Sequence, residues 1–166
     1  MGIFRVLVVS DTHIPTIAQR LPEKILDEGR SCELILHAGD IVSAGTLSLL
    51  SRVRGVEAVR GNMDFPDLAA KLPVSRVLHL GIWRVGLTHG HIGIGRDTPE
   101  RAASMFPKGS VDCVVFGHSH VQMREEKDGV LLFNPGSPTA GRGGHGNSFG
   151  ILDLSEKLEA RLVSLW

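Results

Sequence analysis

Short apolar runs, separated by turn-forming and charged residues, dominate the hydrophobic pattern of this chain. The first run, Ile3–Val9, is almost continuously apolar, and such runs are typical of strands that are buried on both faces of a sheet. The runs Val74–Leu80 and Trp83–Thr88 lie on either side of Gly81, which predicts a β-hairpin. The other strands predicted in this part of the chain are Leu34–Leu36, Val56–Val59 and Cys113–Phe116.

Helical periodicity fills several of the segments between these strands. Leu21–Glu28 has Pro22 in its first turn, a position at which proline is favoured. Ala44–Val53 carries apolar residues at helical spacing. Asp97–Met105 begins with Asp-Thr-Pro-Glu, a sequence that favours the start of a helix. Three helices are therefore predicted in the first two-thirds of the chain.

The last third of the chain predicts an antiparallel series of strands. These strands are Val121–Glu125, Val130–Phe133, Phe149–Leu154 and Ala160–Leu165. Asp128-Gly129 predicts a tight turn, whereas residues 134–148 are too rich in Gly and Pro for regular structure. We find no repeat or linker, so we expect one α/β domain over residues 1–166, with two packed sheets and helices outside them.

The composition narrows the class of protein. The chain has 166 residues and carries 18 Lys plus Arg against 18 Asp plus Glu, and without a basic excess broad nucleic-acid binding is not expected. Cys32 and Cys113 form no CxxC pattern, which predicts free, buried thiols in a reducing compartment. No apolar run approaches the roughly 20 residues that span a bilayer. We therefore expect a cytoplasmic protein without a membrane partner.

Polar residues that can bind metal ions directly follow five of the predicted strands. They are Asp11 and His13 in SDTH, Asp40 in HAGD, Asn62 and Asp64 in RGNMD, His89 and His91 in THGH, and His118 and His120 in GHSH. In open α/β sheets, ligands bind at the carboxyl ends of the strands. We therefore expect these side chains to meet at one edge of the fold.

Each of these motifs alone has an ordinary structural explanation. Asp-x-His and Gly-Asp after a strand are common turn sequences, and we expect His37 and His79 to be structural and His145 to be solvated. The combination differs, because Asp, His and Asn offer oxygen and nitrogen ligands and no thiolate, which suits manganese, iron or zinc at a hydrolytic centre. At least seven candidates exceed the roughly four ligands of one ion, which favours two ions that clamp a phosphoryl group.

In chain order, the motifs D-x-H, G-D, G-N, G-H and G-H-x-H resemble the signature of the calcineurin-like metallophosphoesterases. The resemblance extends from Asp11 to Asn-Pro-Gly-Ser at residues 134–137. The short chain is most similar to the small single-domain phosphodiesterase branch, to which the retromer's metallophosphoesterase-like subunit also belongs. The resemblance implies a four-layer α/β/β/α sandwich of two mixed sheets, and a metal-dependent phosphodiesterase that hydrolyses small phosphodiester substrates.

The resemblance also implies ligands for two divalent metal ions. The first ion would be held by Asp11, His13, Asp40 and His120. The second ion would share Asp40 and be held also by Asn62, His89 and His118. Metal-bound hydroxide would attack phosphorus, while the ions and the Asn62 amide would offset the growing charge. Manganese is the expected ion, with iron, zinc or nickel as alternatives, because the ligand set tolerates all of them.

Two departures from the family pattern bear on catalysis and substrate binding. Met63 stands where many members have a histidine that protonates the leaving group, and a thioether cannot supply a proton. His91 is a candidate substitute acid, with a ligand-supporting role as the alternative, and Asp64 is expected to orient a ligand rather than donate a proton. Arg142, in the glycine-rich loop, is a candidate phosphate contact, with a solvated loop charge as the alternative.

Three functions compete on the sequence alone. A phosphodiesterase is favoured because the sequence retains all seven ligands that the resemblance implies. A phosphomonoesterase would apply the same chemistry to a different substrate. A non-catalytic protein-binding scaffold, like the retromer subunit, would keep the fold and lose ligands. The sequence does not identify the physiological substrate, and self-association into a homo-oligomer stays an open alternative.

Overall fold

Ten strands and four helices form the part of the chain that the computed structural model describes, residues 2–165. The strands are β1 Phe4–Val9, β2 Leu34–His37, β3 Val56–Ala58, β4 Ser75–Leu80, β5 Trp83–Thr88, β6 Cys113–Val115, β7 Met123–Lys127, β8 Val130–Asn134, β9 Ser148–Leu154 and β10 Leu158–Ser164. The helices are α1 Glu23–Arg30, α2 Ala44–Val53, α3 Pro66–Ala69 and α4 Thr98–Ser104.

The first sheet has the strand order β10-β9-β1-β2-β3. β1 lies in its centre, parallel to β2 and antiparallel to β9, and β2 is parallel to β3. From Val6 to Val9 every residue of β1 is fully buried, as its continuous apolar run predicts for a strand covered on both faces. The parallel strands β1, β2 and β3 therefore bring their carboxyl ends to the same edge.

The second sheet has the order β4-β5-β6-β8-β7. The predicted hairpin across Gly81 is confirmed, with β4 antiparallel to β5 and Leu80 opposite Trp83. β6 is parallel to both of its neighbours, β5 and β8. The predicted tight turn is also confirmed, because Asp128 and Gly129 both have positive φ angles, 52° and 76°, between β7 and β8.

The two sheets pack face to face, and helices cover their outer surfaces. The central core contains buried side chains from both sheets, among them Val6, Val8, Leu36, Leu152, Val85, Leu87, Val115 and Phe133. On the outer face of the first sheet, Ile25 of α1 and Leu50 of α2 pack against Leu7. Ala102 of α4 packs against Val114 on the outer face of the second sheet. The layers run helix, sheet, sheet, helix, which confirms the predicted α/β/β/α sandwich.

The pairing of the last four strands differs from the prediction of one antiparallel series. β7 pairs with β8 in the second sheet, whereas β9 pairs with β10 in the first. The irregular segment 135–147 carries the chain from one sheet to the other, and local hydrophobic pattern does not reveal such a crossing. Helix α3 was not predicted, because four residues are too few to show helical periodicity.

Other properties of the described residues bear on the predicted cellular setting. Cys32 and Cys113 are free and buried, as predicted. Within residues 2–165, every helix is too short or too polar to cross a membrane. The single domain over residues 1–166 stays a prediction, and its first and last residues lie outside the described range.

Candidate metal centre

The seven predicted metal ligands form one contiguous cluster in the cleft where the two sheets meet. Four of them follow strands of the first sheet: Asp11, His13, Asp40 and Asn62. The other three follow β5 and β6 of the second sheet: His89, His118 and His120. Contacts of 3.1–3.5 Å connect neighbouring members of the cluster throughout. Five of the seven are buried, whereas His118 is half-buried and Asn62 is exposed. The cluster therefore opens to solvent on the side of Asn62 and His118.

Unusual backbone conformations turn several of these side chains toward one another. Asp11, His13, Asp40, His118 and His120 all have φ between 47° and 69°. This left-handed region is uncommon for residues other than glycine, although Asp and His are enriched there. The chain therefore reverses sharply at each strand end, and the strain is concentrated at the cluster, where functional sites commonly hold it.

Two glycines permit the close approach of the loops that carry the ligands. A Cβ atom on Gly61 would lie 2.1 Å from Oδ1 of Asp40. A Cβ atom on Gly117 would lie 1.9 Å from Oγ of Ser10 and 2.5 Å from Oδ2 of Asp11. Any side chain at either position would push the Asp40 or Asp11 carboxylate out of place, so the glycine is a steric requirement there.

The two oxygens of Asp11 have different environments. Oδ2 accepts hydrogen bonds from Oγ of Ser10 at 2.7 Å and from the backbone N–H of His118 at 3.0 Å. Oδ1 is buried and has no hydrogen-bond partner among the described residues. It faces the Nε2 atoms of three histidines, His13 at 3.8 Å, His89 at 3.8 Å and His120 at 3.4 Å. An unpartnered buried carboxylate oxygen costs free energy, and a cation at this point would satisfy it.

The two oxygens of Asp40 also differ in their surroundings: one accepts a backbone hydrogen bond and the other faces histidines. Oδ1 accepts a hydrogen bond from the backbone N–H of Met63 at 2.8 Å. Oδ2 lies 3.2 Å from Nε2 of His89 and 3.5 Å from Nε2 of His13. Oδ2 therefore lies close to one imidazole that follows a strand of the first sheet and one that follows a strand of the second.

Backbone carbonyls orient two of the histidine rings. Nδ1 of His89 lies 2.7 Å from the Ala38 carbonyl, and Nδ1 of His120 lies 2.8 Å from the Ala140 carbonyl. Each Nδ1–H therefore donates outward, and the lone pair of Nε2 is directed into the cluster, the usual arrangement behind a metal-binding imidazole. Oδ1 of Asn62 lies 3.1 Å from Nε2 of His89 and 3.1 Å from Nδ1 of His118. The Asn62 amide is therefore in contact with both of these histidines.

Two sets of donor atoms are compact enough to hold an ion. One consists of Asp11, His13 and His120, the other of Asp11, Asp40 and His89, and within each set the donor atoms lie within 4.8 Å of one another. Oxygen and imidazole donors without thiolate suit manganese, iron or zinc. The residues present therefore fit a bound metal ion, and Asp11, rather than the Asp40 predicted to be shared, is common to the two compact sets.

The electrostatics of the cluster favour positive charge. Burial alone would raise the pKa of Asp11, but the facing rings of His120 and His13 outweigh it and hold that pKa far below its usual range. Burial likewise acts to lower the pKa of His89, but Asp40 and Asp11 raise it to about 9. At Asp40, too, burial acts to raise the pKa, but His89 outweighs it and lowers that pKa. Both carboxylates are therefore ionised at neutral pH, and the buried anionic charge attracts cations.

The remaining candidates lie around the cluster in different roles. The His91 ring centroid is 5.2 Å from that of His89, its Nδ1 is buried without a partner among the described residues, and burial lowers its pKa. Both oxygens of Asp64 accept backbone hydrogen bonds. Arg142 is exposed, and its backbone N–H donates to the His120 carbonyl at 2.9 Å.

Sequence reasoning missed three residues that support the ligand loops. Asn134 donates through Nδ2 to the Gly117 carbonyl at 3.0 Å, and Ser137 donates through Oγ to the Asp11 carbonyl at 2.7 Å. The Thr139 hydroxyl donates to the Thr12 carbonyl at 2.9 Å. The available signal was the polar NPGSPT turn itself, whose hydroxyl and amide groups hydrogen-bond readily to backbone.

Comparison with known proteins now identifies the family. The model of the calcineurin-like phosphoesterase superfamily domain matches residues 4–157. The chain belongs to this superfamily. The predicted resemblance is thereby confirmed, and membership in this metallophosphoesterase superfamily supports a metal-binding hydrolase of phosphate esters.

Proteins similar to this chain include both phosphoesterases and a vacuolar protein sorting-associated protein. A probable metallophosphoesterase of Methanothermobacter thermautotrophicus is 38% identical over 156 residues, 94% of this chain and 90% of that protein. Vacuolar protein sorting-associated protein 29 of Schizosaccharomyces pombe is 32% identical over 138 residues, 81% of this chain and 72% of that protein. A solved structure described as a novel archaeal phosphodiesterase is 26% identical, with a TM-score of 0.75, and the match covers 97% of this chain and 99% of that one.

Proposed function

We propose that this phosphoesterase hydrolyses small phosphodiesters at a centre of two divalent metal ions, with manganese as the preferred ion and iron, zinc or nickel as alternatives. The observation that carries the proposal is the buried, unpartnered Oδ1 of Asp11, which faces three imidazole nitrogens. Its surroundings bring together all seven predicted ligands. Similarity to an archaeal phosphodiesterase supports a diester rather than a monoester as substrate.

The proposed ligand sets follow the two sides of the cluster. Asp11, His13, Asp40 and His120 would hold one ion, and Asp40, Asn62, His89 and His118 the other. Divalent ions in such a site polarise phosphoryl oxygens and lower the pKa of bound water toward neutrality. The Ala38 and Ala140 carbonyls hold Nδ1 of His89 and His120 and so direct Nε2 toward the ions, while the surrounding histidines hold the carboxylates ionised.

Three residues at the open side are proposed to act on the substrate. Oδ1 of Asn62 faces His89 and His118, while its Nδ2 donates to no described residue and is available to a phosphoryl oxygen. Arg142 is exposed beside His120, and its guanidinium can bind a second phosphate oxygen. His91, in contact distance of the His89 ring, is the candidate group for protonating the leaving alcohol.

The first test measures hydrolysis of bis-(4-nitrophenyl) phosphate after chelation and addition of Mn²⁺. We expect activity in the wild type and its loss, by at least about a hundredfold, in His118→Ala. The matched control is His79→Ala, because His79 is an exposed histidine on β4, away from the cluster. Activity that survives in His118→Ala, or that does not depend on Mn²⁺ or another divalent ion, would contradict the proposed centre.

Two alternative functions would use the same site. A phosphomonoesterase would hydrolyse 4-nitrophenyl phosphate faster than the diester under identical conditions. A protein-binding scaffold is suggested by the similarity to vacuolar protein sorting-associated protein 29. Because this chain retains all seven predicted ligands, a scaffold would be recognised here by bound metal ions without hydrolysis of either ester.

The setting proposed for the enzyme is the cytoplasm, with free small phosphodiesters as substrates. Both cysteines are free and buried, which fits a reducing compartment. The formal net charge is zero at pH 7, so long-range attraction to nucleic-acid backbones is not expected.

A further inference from the structure

We propose that Asp64 is a positioning residue that holds the loops of Asp40 and Asn62 together and thereby sets the affinity of the second metal ion. The inference rests on the proposed metal centre. It concerns a side chain whose hydrogen bonds go to backbone N–H groups rather than to the ligand side chains, and it assigns that side chain a function in the site.

The contacts of Asp64 reach both loops at once. Its Oδ1 accepts a hydrogen bond from the backbone N–H of Val42 at 2.7 Å, two residues after Asp40. Its Oδ2 accepts a hydrogen bond from the backbone N–H of Gly61 at 2.6 Å, one residue before Asn62. One carboxylate thus bridges the loop that follows β2 and the loop that follows β3, through short charge-assisted hydrogen bonds.

Two further hydrogen bonds connect the same two loops. The backbone N–H of Met63 donates to Oδ1 of Asp40 at 2.8 Å, and the backbone N–H of Phe65 donates to the Val42 carbonyl at 3.0 Å. The first of these fixes the rotation of the Asp40 carboxylate, so that Oδ2 faces the histidines. Loss of the Asp64 bridge would leave these two bonds alone to hold the loops together.

The backbone of Val42 explains why a bridge is needed. Val42 has φ of 81°, and a β-branched residue in the left-handed region is a genuine outlier that persists only when its surroundings hold it. Asp64 holds its N–H and Phe65 holds its carbonyl. Removal of Asp64 would let Val42 relax and would shift Asp40, which is also strained, at φ of 55°.

The contacts of Asp64 are those of a positioning residue. Both of its oxygens accept hydrogen bonds from backbone N–H groups of the two loops. Asp64 therefore acts through Asp40 and Asn62 rather than on the substrate.

The test compares Asp64→Ala, Asp64→Asn and the control Asp67→Asn by calorimetric titration of the chelated full chain with Mn²⁺. Asp67 is an exposed acid in the first turn of α3 and accepts no hydrogen bond from residues 2–165. We expect Mn²⁺ affinity to fall about 10–100-fold in both Asp64 variants, most strongly at the site that includes Asn62, with the control near wild type. Raising Mn²⁺ should restore kcat/KM in the variants.

A second measurement does not depend on metal binding. In the metal-free protein, the Val42 amide should exchange with solvent at least about tenfold faster in Asp64→Asn than in the wild type or Asp67→Asn, because its acceptor has been weakened. Unchanged Val42 exchange together with unchanged Mn²⁺ affinity would overturn the role of Asp64. If the wild type bound no Mn²⁺, the metal centre itself would fail, and Val42 exchange would still decide whether Asp64 holds the loops. Should Asp64→Ala not fold, Asp64→Asn alone decides both measurements.

Discussion

Met63 shows how one side chain can restrict the substrates of the proposed centre. It follows Asn62 directly, the residue is 53% exposed, and its backbone N–H donates a hydrogen bond to Asp40. A thioether has no proton to donate, whereas a general acid is typically worth about 10²–10⁴-fold in rate. The position is therefore well placed for an acid and lacks one, so leaving groups that are poor anions should be hydrolysed slowly.

We predict that Met63→His will favour substrates with poor leaving groups. For a series of aryl methyl phosphodiesters, log kcat/KM should fall steeply with the pKa of the leaving phenol in the wild type. The slope should become shallower in the variant, with a gain of at least about tenfold for phenol and little change for 4-nitrophenol. Met63→Leu is the matched control and should keep the wild-type slope. A shallow slope already in the wild type would contradict the prediction, and steepening of that slope in His91→Gln would identify His91 as the acid.

Residue types at strand ends were sufficient to predict which side chains form the cluster, because Asp, His and Asn carry their chemistry in the side chain. The role of Asp64 could not be predicted to this depth, since its partners are the backbone N–H groups of Val42 and Gly61. Every non-proline residue offers the same N–H, and only the fold selects which one is used.

At the level of whole elements, His37 connects the ends of β1 and β2 behind the ligand loops. It is the last residue of β2 and is fully buried. Its Nδ1 accepts from the Gly39 N–H at 3.2 Å, and its Nε2–H donates to the Thr12 hydroxyl at 3.0 Å. Burial, the dominant cause, lowers its pKa to about 4. The fold therefore requires the neutral imidazole.

This burial predicts an acid-dependent loss of stability. In the unfolded chain a histidine has a pKa of about 6.5, so between pH 6.5 and 4 the unfolded state binds the extra proton. The contribution of His37 is complete above pH 6.5 and is lost as the pH falls toward 4. In the presence of a chelator, the unfolding free energy of the wild type should fall by roughly 2–3 kcal/mol more than that of His37→Gln between pH 7 and 4.5. His79→Gln, which alters an exposed histidine, should follow the wild type, and equal losses in all three proteins would contradict the prediction.

The sequence predicted elements well where a run was long or its turn was distinctive. The continuous apolar run of β1 and the hairpin of β4 and β5 fall close to their predicted bounds. The destination of β9 and β10 could not be predicted, because strand pairing depends on contacts far apart in sequence: β9 pairs with β1, about 145 residues away. The irregular segment between β8 and β9 is compatible with β9 joining either sheet, so the local sequence does not determine which one it joins.

For the whole molecule, the decisive feature is that both sheets contribute to one centre. Asp11 and Asp40 follow strands of the first sheet, while His89, His118 and His120 follow strands of the second. The convergence of polar strand ends on one edge was predictable from the α/β pattern. The face-to-face packing that brings two edges together is determined by the shared core, in which residues such as Val8 and Val115 meet.

A centre built from both sheets should couple metal binding to the stability of the entire fold. Because the unfolded chain lacks the assembled site, Mn²⁺ at about 100 times its Kd should stabilise the chelated protein by about 2.7 kcal/mol, which corresponds to a rise in Tm of roughly 5–10 °C for a domain of this size. Calorimetric scans with and without Mn²⁺ measure the rise directly. His118→Ala, which removes a ligand from the second sheet, should show a smaller rise at the same Mn²⁺ concentration, whereas His79→Ala should show the full one. If Mn²⁺ raised Tm equally in wild type and His118→Ala, the ion would be binding elsewhere, and the two sheets would not be joined through this centre.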